Sequence, residues 1–237
     1  MVEKRRYTNR NLFLLLLIII IFILPAFVFS VEIAKEFKFD KGSSLKEWKE
    51  KIFRGKVLYV IEDSEAKSDG QSFLSAQSNE TCSGLFYEVK FHPSTKPMIS
   101  WKWKVAEFPK RKEGAVKDSD WIEQDDFAAR FYVIFPKFPF TRTKSLEYVW
   151  DETLPEGTIM QSPFFKNIRL FVIRSGKESL GKWVFEERNV YEDYKLAFGK
   201  APESRVGAIA LMTDSDNTLS TAEAYYDDIK VGYEKNE

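Results

Sequence analysis

Asp125-Asp126-Phe127-Ala128-Ala129-Arg130-Phe131-Tyr132-Val133-Ile134-Phe135 decides the fold class. Phe127, Ala129, Phe131, Val133 and Phe135 recur at every second position, the period of an extended strand with one apolar face. The alternate set, Ala128, Arg130, Tyr132 and Ile134, is also largely apolar, which predicts a central strand covered on both sides. Met98-Ile99-Ser100-Trp101-Lys102-Trp103-Lys104-Val105 repeats the period with a cleaner division. Ile99, Trp101, Trp103 and Val105 share one face, and Ser100, Lys102 and Lys104 take the other, as in a half-buried strand.

Further strands are expected at 56–62, 71–76, 84–90, 146–150, 168–174, 182–187, 205–213 and 222–233. A helix is expected after Asn189, with Glu192 at the capping-box position and Gly199 as its stop. A second short helix is expected over 44–49, with Leu45 and Trp48 facing inward. Many strands with little helix imply an all-β domain, an antiparallel jelly-roll-like β-sandwich. No βαβ alternation, internal repeat or glycine-rich phosphate loop is visible. Three long connections, 106–124, 136–145 and 151–163, are candidates for function, because loops of that length in a compact domain commonly serve it.

The first thirty residues carry a separate signal. Lys4, Arg5, Arg6 and Arg10 precede an uncharged apolar run at 12–29, interrupted by Pro25. A basic head before such a run directs export and keeps the head in the cytoplasm. Two outcomes are open: a cleaved signal peptide that releases Val31 as the new N-terminus, or an uncleaved membrane anchor. Residues 1–30 are therefore separated from a single β-sandwich domain at 31–237, expected in the periplasm or on the outer face of the cytoplasmic membrane. That segment is the one expected contact with the membrane.

The whole chain has a formal net charge of zero. Removing the head deletes four basic residues and Glu3, so the remainder is mildly acidic and shows no basic stripe for nucleic acid. Cys82 is the only cysteine and His92 the only histidine. This excludes an internal disulfide, disfavours Cys/His zinc sites, and makes a histidine-based triad improbable. Aromatic residues make up 16% of the chain, a supply large enough for both a core and a stacking surface.

The candidate ligand-binding residues are Trp103, Asp126, Arg130, Trp150, Glu187, Arg188, Asp214 and Asp216. Asp126 and Arg130 flank one strand start, and Glu187 and Arg188 mark a strand-to-helix junction. Asp214 and Asp216 follow an apolar strand in Thr213-Asp214-Ser215-Asp216-Asn217-Thr218. This cluster begins like a calcium loop, but Leu219 stands where the turn glycine belongs and Tyr225 where the closing glutamate belongs. Trp103, Trp121 and Trp150 are candidate stacking platforms. Carboxylate, amide and guanidinium groups beside aromatic faces suit a glycan. Asp227 and Asp228 are adjacent in a strand, so one of them faces inward and needs a partner.

Phe37-Lys38-Phe39-Asp40, with Leu45 and Trp48, resembles the first strand of jelly-roll carbohydrate-binding modules, and Ala224-Tyr225-Tyr226-Asp227-Asp228-Ile229 resembles their last. That resemblance implies a structural calcium held by Asp40 and Asp227 or Asp228. Asp125-Asp126-Phe127-Ala128-Ala129-Arg130, Tyr148-Val149-Trp150, Glu187-Arg188-Asn189-Val190 with Asp193-Tyr194, and Met212 to Thr218 resemble an uncharacterised family of exported bacterial proteins, domain of unknown function 3047. The family supplies a fold expectation and little function.

The leading expectation is an exported cell-envelope binding module for a glycan or other polar ligand. One alternative is a structural or protein-interaction component of the envelope. Another is a glycan-active hydrolase or lyase using Asp126 and Glu187 as an acid–base pair. The residues lean away from an enzyme.

Overall fold

A computed structural model describes residues 34–40, 45–62, 72–93, 97–111 and 125–233. The expected signal or anchor at 1–30 lies outside the described residues, as does Trp121. No described helix is long and apolar enough to cross a membrane.

Two sheets build the domain. The first has the order β11 (Val184–Asn189), β6 (Met98–Glu107), β13 (Thr221–Tyr233), β4 (Phe73–Asn79), β3 (Leu58–Glu62), and β1 (Lys35–Phe37) also pairs with β13. The second runs β2 (Lys49–Arg54), β5 (Cys82–Phe91), β12 (Val206–Asp214), β7 (Ala129–Phe135), β8 (Lys144–Asp151), β10 (Ile168–Ser175), β9 (Ile159–Gln161). Their facing sides form the main core, so the chain is a two-sheet, all-β sandwich. Trp101 from the first sheet stacks on Phe131 from the second, with centroids 4.4 Å apart and planes 15° from parallel. Trp103 meets Trp101 edge-on at 5.4 Å, an arrangement the ring quadrupoles favour.

Trp101, Trp103, Phe131, Val133, Ile209 and Leu211 join this layer. Leu170 and Val172 do not. They pack with Phe127, Val149 and Leu154 in a second, smaller cluster on the other side of the seven-stranded sheet. Loops therefore cover part of that outer face, which agrees with the two-sided apolar pattern around Phe131.

Helix α1 (Val190–Phe198) begins where expected. Asn189 Oδ1 accepts the Glu192 amide at 3.0 Å, and Gly199 ends the helix in the left-handed region at φ 69°. The helix expected at 44–49 is replaced by a turn, in which the Trp48 amide donates to the Leu45 carbonyl. Lys49 then opens β2, whose six residues are all exposed. An edge strand without a buried face has no period-two signature. Trp48 is buried nonetheless, 4.9 Å from Phe37 and 5.6 Å from Tyr87. The short strands β1 and β9 were also invisible to periodicity. The pairing of β10 with β8 is parallel, an exception to the antiparallel expectation that the long 152–167 connection makes possible.

Phe131→Ala is expected to cost about 3–5 kcal/mol, because it empties the space beneath Trp101. For a domain of this size that corresponds to a fall of roughly 6–20 °C in melting temperature, measurable by calorimetry.

Candidate functional site

Arg130 leaves the start of β7 on the outer side of the seven-stranded sheet and is 3% exposed. Its Nε donates to Asp214 Oδ1 at 2.9 Å and its Nη2 to Asp214 Oδ2, a fork-on-fork pair. Nη1 donates to Glu147 Oε1 at 2.7 Å, and Nη2 also reaches the Asp125 carbonyl. Tyr132 completes the set, its hydroxyl donating to Glu147 Oε1 at 2.9 Å. Phe127 lies between two guanidinium groups, Arg130 at 4.5 Å and Arg111 at 4.7 Å from its ring centroid. Arg111 in turn donates to Asp151 Oδ2 and to the Asp126 carbonyl.

Asp126 serves the neighbouring loop. Its carboxylate accepts the amides of Asn217 and Thr218, at 3.2 and 2.6 Å, and the Thr218 hydroxyl. The cluster holds five buried carboxyls, Asp125, Asp126, Glu147, Asp151 and Asp214, against two guanidinium groups. Burial raises the Asp214 carboxyl too, but both of its oxygens are forked to Arg130, and Asp125 is left to bear the imbalance. Burial pushes its carboxyl up to about 7 although Arg130 pulls it down, with Glu147 and Asp126 adding to the rise. Its Oδ1 accepts no hydrogen bond among the described residues and lies 3.7 Å from Arg130 Nη1.

Beside this knot the outer face is partly exposed. Strand register sets Lys49, Phe86, Ala210, Tyr132, Glu147, Leu170 and Met160 in one row across all seven strands. Phe86 and Tyr132 are both half-buried, and Ala210 between them leaves a low floor. Gly84 and Met212 occupy the matching positions in the next row, beside Arg130. Ala208 lies beside Ile134 in the row on the other side. Ala208 and Ala210 of β12 thus leave a shallow trench between two aromatic rings, with Met212 at one end and the Glu147–Arg130 pair behind one ring.

The structure brings together three of the expected ligand residues, Asp126, Arg130 and Asp214, with Asp216 close by at the end of β12. It separates the others. Trp103 and Trp150 are fully buried in the main core, so neither ring face is available for stacking. Their indole N–H groups are held inside, by Glu186 at 3.3 Å and by the Gly176 carbonyl at 3.1 Å. The inward period that makes a tryptophan a core residue also removes it from a surface site. Glu187 and Arg188 lie on β11, at the edge of the other sheet. Glu187 accepts the Tyr233 hydroxyl at 2.9 Å, and Arg188 forms a two-point pair with Asp193. Sequence reasoning missed Asp125 as a site residue, and Tyr132, Glu147, Asp151 and Arg111 altogether. The alternation of Glu147 against Leu146 and Tyr148 was the one available signal.

Among the described residues one group of ligand-type atoms lies within 4.8 Å, from Cys82, Asp214 and Asp216. Asp214 is already committed to Arg130 and to the Phe127 amide. Burial, then the Asp214 charge, raises the Cys82 thiol, which keeps it protonated. That combination fits a metal poorly. Asp40 is exposed. Asp227 is buried and accepts the Phe39 amide at 3.3 Å, while Asp228 sits in a bulge at φ 48° and pairs with Lys102 at 2.5 Å. Of the residues expected to hold calcium, Asp227 and Asp228 therefore carry protein partners of their own.

Arg130→Met is expected to cost about 3–5 kcal/mol, because it strands buried carboxylates without a counter-charge. Asp125 yields a pH test. An unfolded aspartate titrates near 3.9, so between about pH 4 and 7 the folded chain holds a proton that the unfolded chain has lost. Stability should decline as pH rises through that window and level off above it. Asp125→Asn should flatten the decline in calorimetric melting curves; an unchanged slope would place the proton elsewhere.

The fold is similar to several solved structures. One is the family 11 carbohydrate-binding module of a cellulosomal cellulase of Clostridium thermocellum, with 10% identity, 87% of this chain and 99% of that chain covered, and a TM-score of 0.43. A second is TmCBM61 in complex with β-1,4-galactotriose, with 12% identity, coverage of 84% and 99%, and a TM-score of 0.39. A third is the K1 cleaved adhesin domain of Lys-gingipain from Porphyromonas gingivalis W83, with 12% identity, coverage of 85% and 98%, and a TM-score of 0.37. Similarity at this level transfers no ligand and no residue role. No curated protein matches the chain. The family model described as Protein of unknown function (DUF3047) matches residues 46–230, and the chain belongs to that family.

Proposed function

We propose that the protein is an exported, non-catalytic binding module that holds a glycan or similar extended polar ligand in the trench over β12. The observation that carries this reading is the row Phe86–Ala210–Tyr132–Glu147, two half-buried rings across an alanine floor with a carboxylate at its side. Sugar rings present C–H faces that pack on aromatic groups and hydroxyls that bond to planar polar groups. The Tyr132 ring is pre-set for this, because its hydroxyl is tied to Glu147 and contacted by Arg130 at 3.4 Å. A ligand group meeting a ring already held in place loses less ordering entropy on binding. Export rests on the basic head and the apolar run at 12–29.

A binding role is favoured over hydrolysis by the state of the carboxylates. Asp126, just ahead of β7, and Glu187, on β11 of the other sheet, are the pair considered for acid–base work, and both oxygens of Asp126 accept hydrogen bonds from the 217–218 loop. Asp214 and Glu147 are both engaged by Arg130.

Ala210→Trp should fill the trench, and Tyr132→Ala should remove one wall; each is expected to weaken ligand binding about tenfold or more, equivalent to about 1.4 kcal/mol. Glycan-array screening followed by titration calorimetry measures this, with circular dichroism to confirm that both variants stay folded. Full binding by a folded Ala210→Trp variant would move the site away from the trench.

A further inference from the structure

The end of the sandwich away from the Arg130 knot carries a different chemistry. A cleft of about 420 Å³ opens there, lined by Lys137, Arg142, Lys144, Lys166 and Lys200, with Glu203 the single carboxylate in its wall. Glu203 is shared between Lys137 and Lys200, which hold it well below the usual carboxylate range. The chain as a whole is neutral, so this concentration of cations is local and is not the by-product of a basic protein.

Two loops flank the cleft, and the Asn167 side-chain amide joins them by donating to the Thr141 carbonyl at 2.7 Å. They carry Phe138 and Phe140, 93% and 84% exposed, and Phe164 and Phe165, 49% and 57% exposed. Four exposed phenyl rings around a cationic cleft need an apolar partner as well as an anionic one.

We propose that this end docks on an anionic phospholipid bilayer. The four phenylalanines enter the headgroup layer, and the lysines and arginines around the cleft pair with lipid phosphates. Basic side chains beside aromatic ones are the combination that holds a protein at a negatively charged membrane interface. An acidic glycan would account for the cations, but it has little use for exposed phenyl rings that cannot donate or accept a hydrogen bond.

The first described residue lies at this same end. The Ala34 amide donates to Val231, at the C-terminal end of β13. A Cβ added to Gly232 would meet both Ala34 and the Phe91 ring. Phe91 is paired with Val206, and the next residue, Gly207, abuts Pro136, where the first aromatic loop begins. The described chain therefore starts at the aromatic, basic end. The proposal is independent of the trench.

The test uses the full chain reconstituted in nanodiscs, with an environment-sensitive fluorophore on Thr141→Cys and, as a control at the opposite end, on exposed Leu219→Cys. Discs of phosphatidylcholine alone are compared with discs containing phosphatidylglycerol. The expected result is a blue-shifted emission, several-fold enhanced, at position 141 only, in phosphatidylglycerol discs only, and reversed by high salt. The surface double variant Phe138→Ser/Phe140→Ser and the charge reversal Lys166→Glu/Arg142→Glu should each abolish it, with unchanged circular dichroism. A signal independent of lipid charge, or equal at both labels, would overturn the proposal. So would an equal shift produced by polygalacturonate in phosphatidylcholine discs, which would assign the cleft to an acidic glycan. If intact mass shows a chain beginning at Val31, the labelled mature protein is scored for flotation with phosphatidylglycerol vesicles, and failure to float overturns the docking.

Discussion

A guanidinium group that cannot lose its proton is buried at the start of β7, and much of the structure is arranged to satisfy it. Arg130 needs acceptors in several directions, and it finds them on three separate segments: Asp214 at the end of β12, Glu147 in β8, and the Asp125 backbone just ahead of its own strand. The cost of burying such a charge is recovered only if these groups arrive together. The register of β12, β7 and β8 is therefore tied to one side chain, in addition to the backbone ladders. Tyr226 extends the tie through the core, its hydroxyl donating to the Met212 carbonyl and lying 3.3 Å from the Arg130 amide. Both sheets are thus linked to the same point.

Aromatic packing supplies the non-directional part of the stability. The Trp101–Phe131 stack joins the middle strands of the two sheets, and the Phe37–Trp48–Tyr87 group closes the side where β1 and β2 run along exposed edges. The smaller cluster around Phe127 and Val172 holds loops against the outer face of the seven-stranded sheet. These loops cover one part of that face and leave the β12 trench uncovered. The polar knot and the trench meet along the Tyr132–Glu147 pair, so a ligand in the proposed trench would meet a ring that is hydrogen-bonded to the knot.

The proposed trench and the proposed membrane-facing end divide the surface between two kinds of partner. The trench is shallow, with half-buried rings and a carboxylate, and suits an extended polar chain. The loop end combines fully exposed phenyl rings with an excess of positive charge, and suits a two-phase boundary. With the loop end against a bilayer, the outer face of the sheet stays open to ligands. The two proposals are physically compatible, and each can fail without the other.

Much of the architecture was legible in the residues alone. Period-two alternation located the buried strands, because a strand with one covered face must alternate, and the Asn189–Gly199 signals bounded the helix, because those two conformations are local. The edge strand β2 was not legible, since a fully exposed strand carries no burial pattern. The sequence also singled out Asp126, Arg130 and Asp214, because charged residues beside apolar strands are costly unless they are paired. It placed Trp103 both on the buried face of its strand and among the stacking candidates, and it could not tell that Trp150 belongs to the core, because a tryptophan suits a core and a stacking surface equally well until the facing sheet is known. Nor could it bring Phe86, Ala210 and Tyr132 together, or Phe138 and Phe164, since these are far apart in the chain. Strand order and register alone decide which side chains become neighbours, and both are properties of the tertiary structure.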